Sequence, residues 1–129
     1  MTIIWWLRRD IRLDDNSALA EAVQQSNGAV IPVFILDAAI LEAHDVGAAR
    51  VHYLMTALHE LDQRLRDHGA RLIMRQGQPQ HELLTLCRET QADAVFFNRD
   101  YEPYARTRDA NVIAALTQAG IRVESFKDL

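Results

Sequence analysis

The chain has 129 residues, near the common size of one domain and short of two. Apolar residues make up 49% and charged residues 25%, a globular balance that argues against disorder. Acidic residues number 18 and basic residues 14, and the net charge of −4 excludes a globally basic nucleic-acid footprint.

The elements alternate short apolar runs with helical periods. Ile3 to Leu7 is a continuous apolar run, as a strand buried on both faces requires. Asp14, Asp15, Asn16 and Ser17 offer N-caps for a helix through about Gln25. Asn27-Gly28 signals a turn, and Ala29 to Leu36 is the second strand. Pro32 within it has no N–H to give a ladder, so it needs a bulge or a side without an acceptor. Arg50 to His68 is the clearest helix, with Val51, Leu54, Met55, Leu58, Leu61 and Leu65 on one face. Gly69 stops it. Arg71 to Arg75 is a third strand, and Gln80 to Thr90 a helix built around Leu83, Leu84 and Cys87. Ala94 to Phe97 is the fourth strand. A helix follows from about Pro103 to Ala119, with Val112, Ile113, Leu116 and Ala119 inward, and Ile121 to Phe126 is the fifth strand. Right-handed crossovers turn this alternation into an α/β fold, a doubly wound, Rossmann-like parallel five-stranded sheet with helices on both faces. The expected strand order is 3-2-1-4-5, which reverses the winding between strands one and four.

Ligands of such sheets lie beyond the carboxyl ends of the strands, at the reversal. The loop after strand one reads Arg8-Arg9-Asp10-Ile11-Arg12-Leu13-Asp14-Asp15, and the loop after strand four reads Asn98-Arg99-Asp100-Tyr101-Glu102-Pro103-Tyr104. Strand two ends in Asp37. The predicted order sets the two densest polar loops across one crevice.

Familiar catalytic patterns are missing. The sequence holds no G-x-G-x-x-G after strand one, no P-loop and no G-x-S-x-G elbow. No catalytic residue is assigned. No metal site is expected either. His52 and His59 stand two helical turns apart, roughly 10 Å, too far to share one ion, and they read as surface histidines with His68. Cys87 is the one cysteine, which excludes an intrachain disulfide; it reads as core. Trp5 and Trp6 alternate across a strand and read as packing to opposite faces. Arg106 and Arg108 sit early in the last helix, where a cation is disfavoured, so a carboxylate or an anionic ligand is expected nearby. Thirteen of the 14 basic residues are Arg, which fits either bidentate anion pairing or a high-GC genome. No apolar run reaches the roughly 18 residues of a membrane helix, and Met1 to Leu7 lacks the cleavage site of a signal peptide, so a cytoplasmic protein without a membrane partner is expected.

Three segments carry a resemblance. Trp6-Leu7-Arg8-Arg9-Asp10-Ile11-Arg12-Leu13-Asp14-Asp15-Asn16, Val33-Phe34-Ile35-Leu36-Asp37, and Phe97-Asn98-Arg99-Asp100-Tyr101-Glu102-Pro103-Tyr104 through Asp109 stand in order and at matching spacing. They resemble the W-[FH]-R-R-D-L-R-[LV]-x-D-N, V-F-I-L-D and N-R-D-Y-E-P-Y-x-x-x-R-D motifs of the DNA photolyase/cryptochrome family. The resemblance spans residues 1–129 and implies that family's N-terminal α/β domain, the holder of a light-harvesting antenna chromophore. The family's C-terminal helical domain, absent from this sequence, binds FAD, reads damaged DNA and drives electron transfer to a pyrimidine dimer. FAD and DNA would thus be reached only through that domain, and this chain alone is not expected to be catalytic. The expected partner is the helical domain; without it, an exposed docking face is expected to favour self-association.

The resemblance places the antenna near Arg9, Leu36, Asp37, His44 and Arg50, and near Asn98, Asp100, Glu102 and Tyr104. Leu36 suits an apolar wall for a planar heterocycle. Asp37, Asp100 and Glu102 suit ring N–H or ribityl hydroxyl donors, and Arg9 and Arg50 a phosphate or carboxylate tail. Folate-binding members carry Asn-Glu where this chain has Tyr104-Ala105, which favours a deazaflavin or FMN over folate; His44 stands where folate binders also have His. Arg8 and Asp10 read either as antenna contacts or, with Arg12, as an interdomain ion-pair seam. Two rivals to the photolyase reading are the same domain of a cryptochrome photoreceptor and a stand-alone ligand-binding or protein-interaction module.

Overall fold

The computed structural model describes residues 1–8, 10–27, 29–37, 48–101 and 103–127, with backbone alone for 48–50 and 104. The elements in chain order are β1 (Ile3–Leu7), α1 (Ser17–Ser26), β2 (Val30–Leu36), α2 (Ala48–Asp67), β3 (Ile73–Gln76), α3 (Pro79–Thr90), β4 (Ala94–Asn98), α4 (Pro103–Gln118) and β5 (Arg122–Phe126). The five strands form one parallel sheet in the order β3-β2-β1-β4-β5, as the sequence predicts. Among the described residues no helix is long and apolar enough to cross a membrane.

The alternation of side chains along each strand separates two cores. Ile4 and Trp6 of β1, Val33 and Ile35 of β2, and Val95 and Phe97 of β4 face one side, under Leu83, Leu86 and Cys87 of α3 and Val112 and Leu116 of α4. Trp5 and Leu7 with Phe34 face the other side, under Ala18 of α1 and Leu58, Leu61 and Leu65 of α2. Ile3, Ala94 and Phe96 extend this second layer against Ala22. The two tryptophans are thus packing residues of opposite layers, and both are fully buried. Cys87 is also buried, and burial pushes its thiol up to about 11, which keeps it protonated.

Local chemistry sets the boundaries. Asn16 caps α1, its side chain accepting from Leu19 N at 3.1 Å. Gly69, at φ +80°, ends α2 in the left-handed turn that a side chain would strain, and Ala70 N closes it onto Leu65 O at 2.9 Å. Pro79 opens α3 at a position where a missing N–H costs nothing. Pro32 pairs with Trp5 of β1, and β3 joins β2 only from Val33 on, so no β3 acceptor stands opposite Pro32.

Three sequence expectations shift. β3 begins at Ile73 rather than Arg71, because the Asp62 carboxylate takes Leu72 N at 2.8 Å and holds it to α2. Met55 is 40% exposed and Ile113 39%, since each sits one residue, or 100° of rotation, past a residue of its helix's inward face, and Ala119 is exposed past the end of α4. Leu86 carries core contacts that the sequence reading assigned to Leu84, which is half-buried.

Asp62 generates a pH prediction. Its carboxylate accepts from Leu72 N and from Arg66 Nε at 2.9 Å, and the backbone bond first, then the Arg66 bond, hold its pKa below the ordinary 3.8. A lowered folded pKa stabilises the protein above that ordinary value, and the contribution is lost as pH falls through the folded one. Urea unfolding is expected to show wild type losing more stability than Asp62→Asn on acidification below pH 3.8. Parallel pH curves for the two proteins would refute the assignment.

Candidate functional site

The winding reverses between β1 and β4, which pair from Ile3↔Ala94 to Trp5↔Phe96 and then diverge into their loops. There a cavity of about 240 Å³ opens, lined by Arg8, Asp10, Arg12, Asn98, Arg99, Asp100 and Tyr101. Its position is where an open α/β sheet takes its ligand.

The walls are held by side chains that bond one another. Asn98 Nδ2 donates to Asp10 Oδ2 at 2.7 Å and to Asn16 Oδ1 at 2.8 Å, while Asn98 Oδ1 accepts from Ala18 N at 2.9 Å. Asn16 Nδ2 donates in turn to Asp10 Oδ2 at 3.1 Å and to Arg12 O at 3.2 Å. Asp10 Oδ1 accepts from Arg8 N at 3.0 Å. The Arg8 guanidinium donates to the Asp109 carboxylate and to Asn98 O, and lies 4.9 Å from the Trp6 ring centroid and 4.7 Å from that of Phe97. Burial pulls its pKa below the ordinary guanidinium value, the bond to Asp109 pushes it back, and an arginine keeps its charge in such a setting. Arg108 meets the carboxylate that its place in α4 calls for: its Nε is 3.5 Å from Asp109 Oδ1, and its guanidinium lies 5.4 Å from the Trp6 ring. Arg99 turns toward the sheet edge, donating to Ser125 Oγ at 3.1 Å through Nε and to Phe126 O at 2.8 Å through its backbone.

Of the residues that the resemblance places near the antenna, Asn98 and Asp100 line the cavity together, joined by Arg8 and Asp10, which the sequence leaves between antenna contact and interdomain seam. Asn98 is 4% exposed, and both of its amide atoms are engaged within the protein. Leu36 is half-buried and Asp37 buried at the carboxyl end of β2, beside β1 and away from the cavity lining. Arg50 and Tyr104 lie in the first turns of α2 and α4, which face the same carboxyl edge. Arg9, His44 and Glu102 lie outside the described residues. Arg12, which the sequence reads only as part of an interdomain seam, also lines the cavity, as do Arg99 and Tyr101, for which the loop position beyond β4 is the available signal. Among the described residues no three His, Cys, Asp or Glu side chains are grouped to hold a metal.

A parallel sheet with a polar crevice at its switch point is the architecture of an open α/β ligand-binding domain. The family model for DNA photolyase matches residues 3–129, and the chain belongs to that family. It is 48% identical over 126 residues, 98% of this chain and 26% of the relative, to a deoxyribodipyrimidine photo-lyase of a Synechococcus strain. A cryptochrome-1 of Mus musculus is 33% identical over 120 residues, 93% of this chain and 20% of its own length. Among solved structures, a class III photolyase of Agrobacterium tumefaciens superposes with a TM-score of 0.88 at 36% identity, over 98% of this chain and 25% of its own. An archaeal photolyase of Sulfolobus tokodaii, solved with two FAD molecules and described as implying a novel light-harvesting cofactor, gives 0.89 at 31%, over 99% of this chain and 29% of its own. The chain therefore spans about a quarter of these photolyases' length.

The network predicts a cost for removing its hub. Asn98→Ala leaves Asp10, Asn16 and Ala18 N short of partners in a buried setting, which costs about 3 kcal/mol. Urea denaturation should show that loss, and a change below about 1 kcal/mol would mean that water replaces the amide without penalty.

Proposed function

We propose that this domain holds the light-harvesting antenna chromophore of a DNA photolyase, whose full-length form repairs pyrimidine dimers under light. The observation that carries the reading is the cavity at the switch point, built from the family's own first and third motifs. Identity to the Synechococcus photolyase, 48% against 33% for the cryptochrome, supports photolyase over photoreceptor. FAD and damaged DNA would be engaged by a helical domain outside this chain, docked on it as the partner. Energy transfer asks for a chromophore held rigidly at a fixed distance and orientation, and a bonded loop framework supplies rigidity.

The residues fit the polar edge of such a ligand. Enclosing pockets for small molecules run to roughly 300–1,000 Å³, so a cavity of about 240 Å³ takes part of a chromophore rather than all of it. Asp100 would accept from ring N–H or ribityl hydroxyls, and the Tyr101 ring, 54% exposed, offers a stacking face. Asp37 and Glu102 would extend the acceptor set, Leu36 would wall the ring, and Arg9 and Arg50 would meet a phosphate or carboxylate tail. Asn98 would frame the site, with His44 and Tyr104 at its margin. A deazaflavin or FMN suits this acceptor-rich set better than folate, in keeping with Tyr104-Ala105 in place of Asn-Glu.

Absorption spectroscopy with added FMN, a deazaflavin and a reduced folate tests the proposal. A shifted flavin or deazaflavin band is expected, and Asp100→Ala should weaken it about tenfold, the loss of one hydrogen bond to a charged group, with the melting temperature unchanged. Absence of any shifted band, or folate binding alone, would contradict the reading.

A further inference from the structure

Arg8 stands in an unusual setting for a cation. It is 8% exposed, its carboxylate partner Asp109 is equally buried, and the two lie 101 positions apart in the chain. Its second nitrogen donates to Asn98 O, the carbonyl from which the Asn98–Tyr101 wall of the cavity departs. Its plane packs against Trp6 of β1 and Phe97 of β4, whose rings meet edge to face at 5.1 Å. Its backbone N–H reaches Asp10 in the opposite wall. The side chain thus touches β1, α4 and the last residue of β4, from which one cavity loop departs, while the backbone of the same residue is bonded to the other loop.

Stability alone gives a weak reason for this arrangement. A buried ion pair recovers little more than its desolvation cost, and apolar residues of similar volume often serve the fold as well. Apolar side chains cannot hold a carbonyl or set the direction of a loop. A lysine would supply charge without the planar fork that engages a carboxylate and a carbonyl together.

We propose that Arg8, paired with Asp109, is a positioning residue for the cavity: it fixes the β1–α1 and β4–α4 loops relative to each other so that Asp100 and Arg12 face the ligand in one arrangement. The ligand half of this statement rests on the chromophore reading above, and the loop half stands without it.

The test is the double variant Arg8→Met/Asp109→Leu, which removes both charges and keeps the volume. Amide hydrogen exchange reads the loops directly. The reporters are Arg12 N, bonded to Asp10 O at 2.9 Å, Ala18 N, bonded to Asn98 Oδ1, and Arg99 N, bonded to Phe126 O. Val33 and Phe34 of β2 serve as core controls. The expected result is about tenfold faster exchange at the reporters, as local opening produces, with the β2 controls unchanged and with FMN bound about tenfold more weakly. Unchanged reporters, or reporters and controls rising together, would overturn the proposal, the pair then serving the fold as a whole. Faster reporters together with no binding of FMN or of a deazaflavin by wild type would uphold the positioning role and overturn the chromophore reading. If the double variant does not fold, Arg8→Lys replaces it: selective loosening of the same reporters supports the role, and unchanged exchange overturns it.

Discussion

The architecture turns on a buried polar network placed where a parallel sheet comes apart. At the switch point β1 and β4 pair for three residues and then send their loops in opposite directions. A gap left there would expose loop backbone with nothing to bond. The Asn98 amide closes it by bonding Asp10, Asn16 and Ala18 N together, and it does so below the surface. In that low-dielectric setting each satisfied bond is stronger than in water, and each missing one is expensive. The same residues form the cavity wall, so the latch and the binding surface are one structure.

The distribution of charge follows from the same constraint. Arg8, Asp10 and Asp109 are bonded to one another or to their neighbours inside the domain, with Arg108 drawn to the carboxylate that Arg8 holds. What faces the cavity is therefore a framed set of loop residues rather than a field of mobile ions. On the proposed reading this suits light harvesting, where the protein moves no proton and forms no bond, and geometry is the whole requirement.

Much of this was legible in the sequence. Continuous apolar runs such as Ile3–Leu7 mark strands buried on both faces, and crossover handedness with alternating elements leads to a parallel doubly wound sheet; the strand order, which periodicity does not carry, agrees with the one expected. The Asn16 cap and the Gly69 stop are local signals and were readable as such. Longer-range partnerships were not. Nothing local ties Arg8 to Asp109 or Asp62 to Leu72, so neither the inward turn of Arg8 nor the late start of β3 could be read. Asn98 has the donors and acceptor of a ligand contact, and whether they point at a ligand or at Asp10 depends on a loop 88 positions away. Helix faces were legible to within one residue, which is why Met55 and Ile113 were placed inward and emerge at the surface.

The central claim is that the carboxyl edge between β1 and β4 is where a flavin-type chromophore sits. The most direct test is amide NMR of the isotope-labelled chain titrated with FMN. Saturable shifts should cluster at Asp10 to Leu13 and Asn98 to Tyr101, with β3 and the amino ends of the strands silent. Saturable shifts confined to any other face, or none up to the solubility limit of FMN and with a deazaflavin in its place, would contradict the account.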